Sequence, residues 1–345
     1  MDDFSGTSNF TRNLTLVEEE LITNQQAACY AVSAILLIVS FYILISLSLF
    51  EIKVQHENRC SLSSIRRDRR HYSRDRVTDW MRWLCLIASI LLTVRISADV
   101  AETMHGDHYS FFCLVVRHIK GILQSAVLTS IFLTLWFRQR KFYKTPVMAH
   151  LTNRPVRFFS AAMIVLMTAV NLTTLILYLS TRTYKSSRRG CVVDQNAVPK
   201  ILPGIFVFVS TFSFQAILLG LLIYPLIVHR QDMTQVADCA GNSNSSLMKW
   251  QSNEIALIRR VTTAAGIAVL TDITCGVISV YAFVQPYGAV RSVVYDVDQC
   301  VALICVIMSF ANWKARLTPF LPKQHQVIGT IRKHVENTPR DQSTL

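Results

Sequence analysis

A chain of 345 residues with 51% hydrophobic and only 17% charged residues departs from the composition of a soluble domain, where about 25% are charged. Its net charge of +13 would suit a nucleic-acid partner, but the basic residues collect between long apolar runs, and that placement excludes such a role. Met1–Gln26 lacks the basic start and early apolar run of a cleavable signal, so the first apolar segment is expected to act as its own insertion signal.

Three runs, Ala27–Phe50, Phe158–Ser180 and Ile201–Val228, contain no Asp, Glu, Lys or Arg. Each exceeds the ~20 residues that cross ~30 Å of hydrocarbon as a helix. Four further spans carry charges. Trp80–Val100 holds Arg82, Arg95 and Asp99, and Phe111–Phe137 holds Arg117, His118 and Lys120 near one end. Val261–Val284 is interrupted by Asp272 alone, and Val293–Trp313 opens with Asp296 and Asp298. The expected fold is an all-α membrane protein, a seven-transmembrane helix bundle whose ends face opposite sides. Residues 1–26 form an outer tail, 27–321 the bundle with an interfacial helix at 313–321, and 322–345 a cytosolic tail.

Orientation follows from the tendency of basic loops to stay in the cytoplasm. With the N-terminus outside, the cytosolic segments 51–78, 137–157, 229–260 and 314–345 hold 24 Lys and Arg, and the outer segments hold 7. The outer loop 181–200 is itself basic, which its uncharged neighbouring spans tolerate. Asn9 and Asn13 both begin glycosylation sequons and lie in the outer tail. The matches at Asn171 and Asn244 fall in a span and a cytosolic loop. The run Arg66-Arg67-Asp68-Arg69-Arg70 reads as a topology signal that also touches anionic lipid.

The nine cysteines show neither a Cys-x-x-Cys pair nor metal-ligand spacing with His, so no metal or other cofactor is expected. Only Cys113 and Cys191 lie at or beyond an outer boundary. A bridge between them would pin the loop after the fourth span over the bundle. The alternative is two free thiols, which the oxidising side disfavours.

Seven spans, an N-out glycosylated tail and this cysteine pair together resemble a rhodopsin-like G-protein-coupled receptor. In that family an arginine at the cytosolic end of the third helix follows the outer cysteine by 25 residues, and here that position is Arg138. The family's Asp-Arg-Tyr becomes Phe137-Arg138-Gln139. The sixth span reads Thr274-Cys275-Gly276-Val277-Ile278, without the family's Trp and Pro. The seventh reads Met308-Ser309-Phe310-Ala311-Asn312-Trp313, without Asn-Pro-x-x-Tyr. Tyr224 matches a family tyrosine that meets the arginine on activation. The resemblance implies a plasma-membrane receptor for an extracellular ligand, coupled to a heterotrimeric G protein through Arg138, Arg140, Tyr224, Arg259 and Arg260.

Ionisable groups inside spans are costly and usually face the bundle interior. In the family, the residue seven positions after the outer cysteine lines the ligand cavity, and here it is Lys120. Arg117 lies one turn nearer the outside, and Arg95 has Asp99 one turn above it. These residues with Asp296 and Asp298 form the expected ligand site, which suits an anionic ligand if the aspartates face away. If the aspartates face inward, the same residues form a self-neutralised structural network. Asp272 is open to three readings: a protonated acid, a partner for another helix, or part of an ion or proton path.

No nucleophile elbow, phosphate loop or His-Glu-x-x-His signature is present, and an enzyme is not expected. A seven-helix ligand-gated channel or transporter is the alternative. Ser343-Thr344-Leu345 resembles a tail bound by PDZ domains.

Overall fold

A computed structural model describes residues 6–62, 69–105, 110–143, 154–180, 182–187, 190–196, 205–206, 208–218, 220–221, 245–284, 288–310 and 312–319. Side chains are described within 24–56, 77–102, 114–143, 158–180, 205–221, 259–281 and 290–319, with 142, 207, 219 and 311 excepted. The elements in chain order are α1 (Gly6–Leu62), α2 (Arg69–His105), α3 (Ser110–Tyr143), α4 (Arg154–Ser180), strands β1 (Arg182–Ser187) and β2 (Gly190–Asn196), α5 (Phe208–Leu218), α6 (Ser245–Val284), α7 (Gly288–Met308) and α8 (Trp313–Leu317).

Five helices are long and apolar enough to cross a membrane: Asn24–His56, Val77–Glu102, Leu114–Lys141, Phe158–Ser180 and Arg259–Tyr281. Their surface has the inverse of a soluble protein's pattern. Ile38, Phe158, Val165, Leu270, Val277 and Tyr281 are all at least 60% exposed, whereas Arg95, Asp99, Lys120, Asp272 and Asp296 are buried. A belt of exposed Ile, Val, Leu and aromatic side chains on every long helix is stable against lipid, not water. The chain is a multi-pass helical membrane protein.

Several elements outrun the expected spans. The segments 1–26 and 51–78 were expected to be a tail and a long loop, yet α1 begins at Gly6 and continues to Leu62. Between Thr7 and Leu62 there is neither Gly nor Pro to end a helix, and 57 residues give about 85 Å of helix, nearly three times the ~30 Å hydrocarbon layer. The second span was expected to end at Val100, but α2 runs on through Glu102 to His105. The seventh was expected to reach Trp313, but α7 ends at Met308 and the chain turns at Ser309 and Phe310 before α8. The outer loop 181–200 contains an antiparallel hairpin, β1 on β2, with a register shift between Thr183 and Tyr184.

Cross-helix contacts give α2, α3, α4, α5 and α7 their directions. On α3 and α4, Gly121 faces Tyr178, Ser125 and Thr129 bond Asn171, and Trp136 bonds the Ser160 carbonyl, so the two are antiparallel. On α2 and α3, Glu102 meets Lys120 and Thr78 meets Lys141, again antiparallel. On α3 and α7, Gln124 pairs with Gln299 and Arg138 with Ser309, so these run parallel. Phe132 stacks edge-on with Phe214, and Tyr143 bonds the Leu221 carbonyl, so α5 also follows α3. The hairpin, which follows the end of α4, therefore lies at the Ser110 end of α3, and it packs on that helix.

Helix α3 is the axis of the bundle. One core cluster joins α1, α2, α3 and α7 through Ile43, Leu47, Leu92, Ile96, Val127, Ile131, Leu303 and Ile307. A second joins α3, α4 and α5 through Phe132, Met163, Met167, Phe214 and Leu218. On α2 the buried positions 81, 85, 88, 92, 95, 99 and 102 recur every three or four residues, the spacing of one helical face. That stripe is apolar below and charged from Arg95 upward, so the same face that packs the core also builds the site.

Candidate functional site

The charged part of the α2 stripe meets α3 and α7 in one buried network. Arg95 Nη1 donates to Gln299 Oε1 at 2.6 Å, and its Nη2 lies 3.0 Å from Asp296 Oδ1. Lys120 Nζ donates to Glu102 Oε2 at 2.7 Å and is ion-paired with Asp99. Arg117 Nη2 reaches the other Glu102 oxygen at 2.6 Å, and Ser292 Oγ donates to Asp99 Oδ1 at 2.7 Å. Arg95 and Asp296 are 2% and 0% exposed, so this pair has no recourse to solvent.

This geometry differs from the sequence reading at three acids. Asp99 was expected to satisfy Arg95, its neighbour one turn away, but it faces Lys120 on α3, while Arg95 crosses to Asp296 on α7. Asp298 was expected near the cations, yet it is turned towards α6. Glu102 was absent from the expected set because the span was thought to end two residues earlier. Its signal was legible: three residues after Asp99, it falls on the same helical face. With Glu102 between Arg117 and Lys120, each of the three cations has a carboxylate, and the electrostatic basis for an anion-favouring pocket among them is gone.

A cavity of about 30 Å³ lies beside this network, lined by Gln124 and Leu128 of α3, Phe208, Thr211 and Phe212 of α5, Asp272, Cys275 and Gly276 of α6, and Tyr295, Asp298 and Gln299 of α7. The Asp272 and Asp298 carboxyl groups come within hydrogen-bond reach of each other across the α6–α7 interface. Of the three readings open for Asp272, the partner on another helix is present, but it is a second acid. Gly276 is required here, since a Cβ on it would stand 1.9 Å from Cε2 of the Phe208 ring.

At the opposite end of α3, Arg138 is 6% exposed, donates to the Ser309 carbonyl where α7 has just ended, and lies 5.9 Å from the Phe310 ring centre. Ser309 Oγ in turn donates to the Val306 carbonyl at 2.5 Å. Arg140 covers Trp136 at 5.2 Å and Arg260 of α6 covers Trp313 of α8 at 5.9 Å, while Arg259 is exposed. Two features of this end were missed from sequence. Arg316 is buried between Phe310 and Phe50, 3.9 Å and 5.1 Å from their ring centres, and Tyr42 donates to the Leu317 carbonyl at 2.6 Å. Glu51 of α1 lies 3.5 Å from Nε of Arg82, which is also paired with Asp79.

Several expected features lie outside the described residues: the side chains of Asn9, Asn13, Cys113 and Cys191, Tyr224, the run 66–68, and 320–345. Cys29, Cys85, Cys275, Cys300 and Cys305 are free thiols. Among the described residues no group of three or more His, Cys, Asp or Glu is arranged to hold a metal ion. Comparison of the sequence with protein-family models and with curated proteins returns no match.

Proposed function

We propose that the chain is a plasma-membrane, seven-helix receptor that binds an extracellular ligand and signals through a heterotrimeric G protein, with its N-terminus outside. The directions of α2, α3, α4, α5 and α7 support seven crossings, with α5 and α7 added to the five long apolar helices. The basic-residue bias supports the orientation. The hairpin on α3 supports a capped outer face, with ligand entry beside it.

The observation that carries the reading is Arg138. A buried guanidinium at the end of the central helix, bonded to a backbone carbonyl where α7 stops, is a link between two helices that can be exchanged for a link to an incoming peptide carbonyl. Arg140, Arg259 and Arg260 extend the same end with positive charge, suited to an acidic partner surface. No acid precedes Arg138, so the Ser309 carbonyl is its restraint in place of the family's carboxylate. Release would then require α3 and α7 to part.

The test is nucleotide exchange on a panel of heterotrimeric G proteins by the purified receptor in lipid nanodiscs. Wild-type protein should accelerate exchange on at least one, and Arg138→Ala should abolish that effect with surface expression near normal. Wild type silent on every heterotrimer, together with an ion current in planar bilayers, would replace this reading by the channel or transporter. That alternative has less support, because the intramembrane charges are bonded across helices in place of lining an open path.

A further inference from the structure

The core contacts of α1 lie in its second half, at Leu36, Leu37, Val39, Ile43 and Leu47, with Glu51 meeting Arg82 of α2 beyond them. Gly6 stands about 45 Å before Leu36 along the helix axis. A second face of α1 is exposed at every alternate step of four and three residues from Asn24 to Ile52, through Ile35, Ile38, Ile45 and Leu49. Carried back towards Gly6, the same steps land on Leu21, Val17, Leu14 and Phe10. The charged residues of that stretch, Arg12, Glu18, Glu19 and Glu20, all miss this stripe, and of its larger apolar residues only Leu16 and Ile22 leave it. Steps of four and three are the a and d positions of a heptad, the seam of a coiled coil. Lipid accounts for the stripe within the apolar run Ala27–Phe50, but not for its continuation among charged residues. A lone helix there, with three consecutive glutamates, is marginal in water unless its apolar face is covered.

We propose that α1 pairs with α1 of a second copy of this chain as a parallel, left-handed coiled coil from Phe10 to Ile52, within the membrane and beyond it. Two copies in one membrane share an orientation, so the pair is parallel and two-fold symmetric. A heptad stripe drifts by about 20° per heptad round a straight helix, and left-handed wrapping keeps it at the contact. Ala28 and Ala31 on the stripe let the two backbones approach, as small residues do between helices in lipid. Asn24 stands at d and faces its own copy, a polar pair of the kind that fixes register. In a parallel pair each g position faces e of the next heptad. That sets Asn13 by Glu18 and Glu20 by Gln25, so an amide meets each of these glutamates where a second carboxylate would repel it. Pairing asks nothing of Arg138 and is independent of the coupling proposed above.

The experiment coexpresses two differently tagged full-length copies, captures one tag from mild detergent and measures recovery of the other. Wild-type copies should co-purify. Leu14→Glu with Leu21→Glu in both copies should lower recovery by about tenfold or more, because like charges then face each other across the seam. Leu14→Lys with Leu21→Lys in both copies should do the same. One copy carrying the Glu pair and one carrying the Lys pair should restore recovery, which excludes misfolding as the cause of the loss. Oxidation of membranes should link Leu14→Cys and Val17→Cys into dimers, but not Arg12→Cys or Glu19→Cys, which stand at f, away from the seam. Wild-type copies that stay apart overturn the pairing. So do undiminished recovery with Glu in both copies, a Glu and Lys combination that fails to restore it, equal cross-linking at f and at the seam, and a cross-link to a different chain.

Discussion

Among the described residues Arg95 and Asp296 are the most enclosed ion pair, and their value lies in the cost of separating them. A buried pair adds modest net stability, because desolvation offsets much of the attraction, whereas removing one partner strands a charge at a cost of about 3–5 kcal/mol. Arg95→Met should therefore lower the unfolding midpoint sharply, because Asp296 loses the guanidinium 3.0 Å from its carboxylate. Adding Asp296→Leu should recover most of that loss, although the double variant lacks both charges. A double-mutant cycle measured by thermal unfolding in nanodiscs checks this, and losses that simply add would mean the two side chains are not coupled. The charged residues were all legible in the sequence, as were the helices that carry them. Their partners were not, because Asp99 lies one turn from Arg95 along α2 and yet pairs with Lys120 across a helix interface.

At the scale of elements, α5 meets α6 through one close contact. Its Phe208 ring lies directly on the backbone of Gly276 in α6, and any Cβ there overlaps the ring. Gly276→Ala should cost about 1–3 kcal/mol as an overpacking substitution. Phe208→Leu introduced on top should return part of it, because the shorter side chain vacates the space. Thermal unfolding of the three variants reads the effect, and no loss in Gly276→Ala would place the α5–α6 contact elsewhere. In the sequence Gly276 marked only the absence of the receptor family's Trp and Pro. Its physical role, a flat place for an aromatic ring, is a property of two helices at once. The ends of α1 and α2 were misjudged for a related reason: hydropathy reports the part of a helix in lipid, and these helices continue beyond it where no Gly or Pro stops them.

For the whole molecule, the proposed orientation rests on charge bias, which would set α1, α3, α5 and α7 running inward. An epitope inserted before Gly6 should be labelled on intact cells, and glycosidase treatment should lower the apparent mass through Asn9, Asn13 or both. Labelling only after permeabilisation would invert the topology and move Arg138 to the outer face, ending its role in coupling.

The sequence by itself determined that the chain lives in a membrane, because uninterrupted apolar runs of this length have no other stable solvent. It also set the approximate position of the five long apolar helices and the inward placement of the intramembrane charges, whose cost in lipid leaves the bundle interior as their place. The tertiary structure alone decided how those charges divide. Asp99, Glu102 and Asp296 pair with Lys120, Arg117 and Arg95, where an anion site or a self-neutralised network had been open alternatives, and Asp272 and Asp298 are left facing each other. Periodicity along one helix states which face a residue occupies, but the identity of the opposing residue depends on the rotation and axial shift of a second helix. Those two quantities are settled by side-chain packing across the interface and appear nowhere in either helix alone.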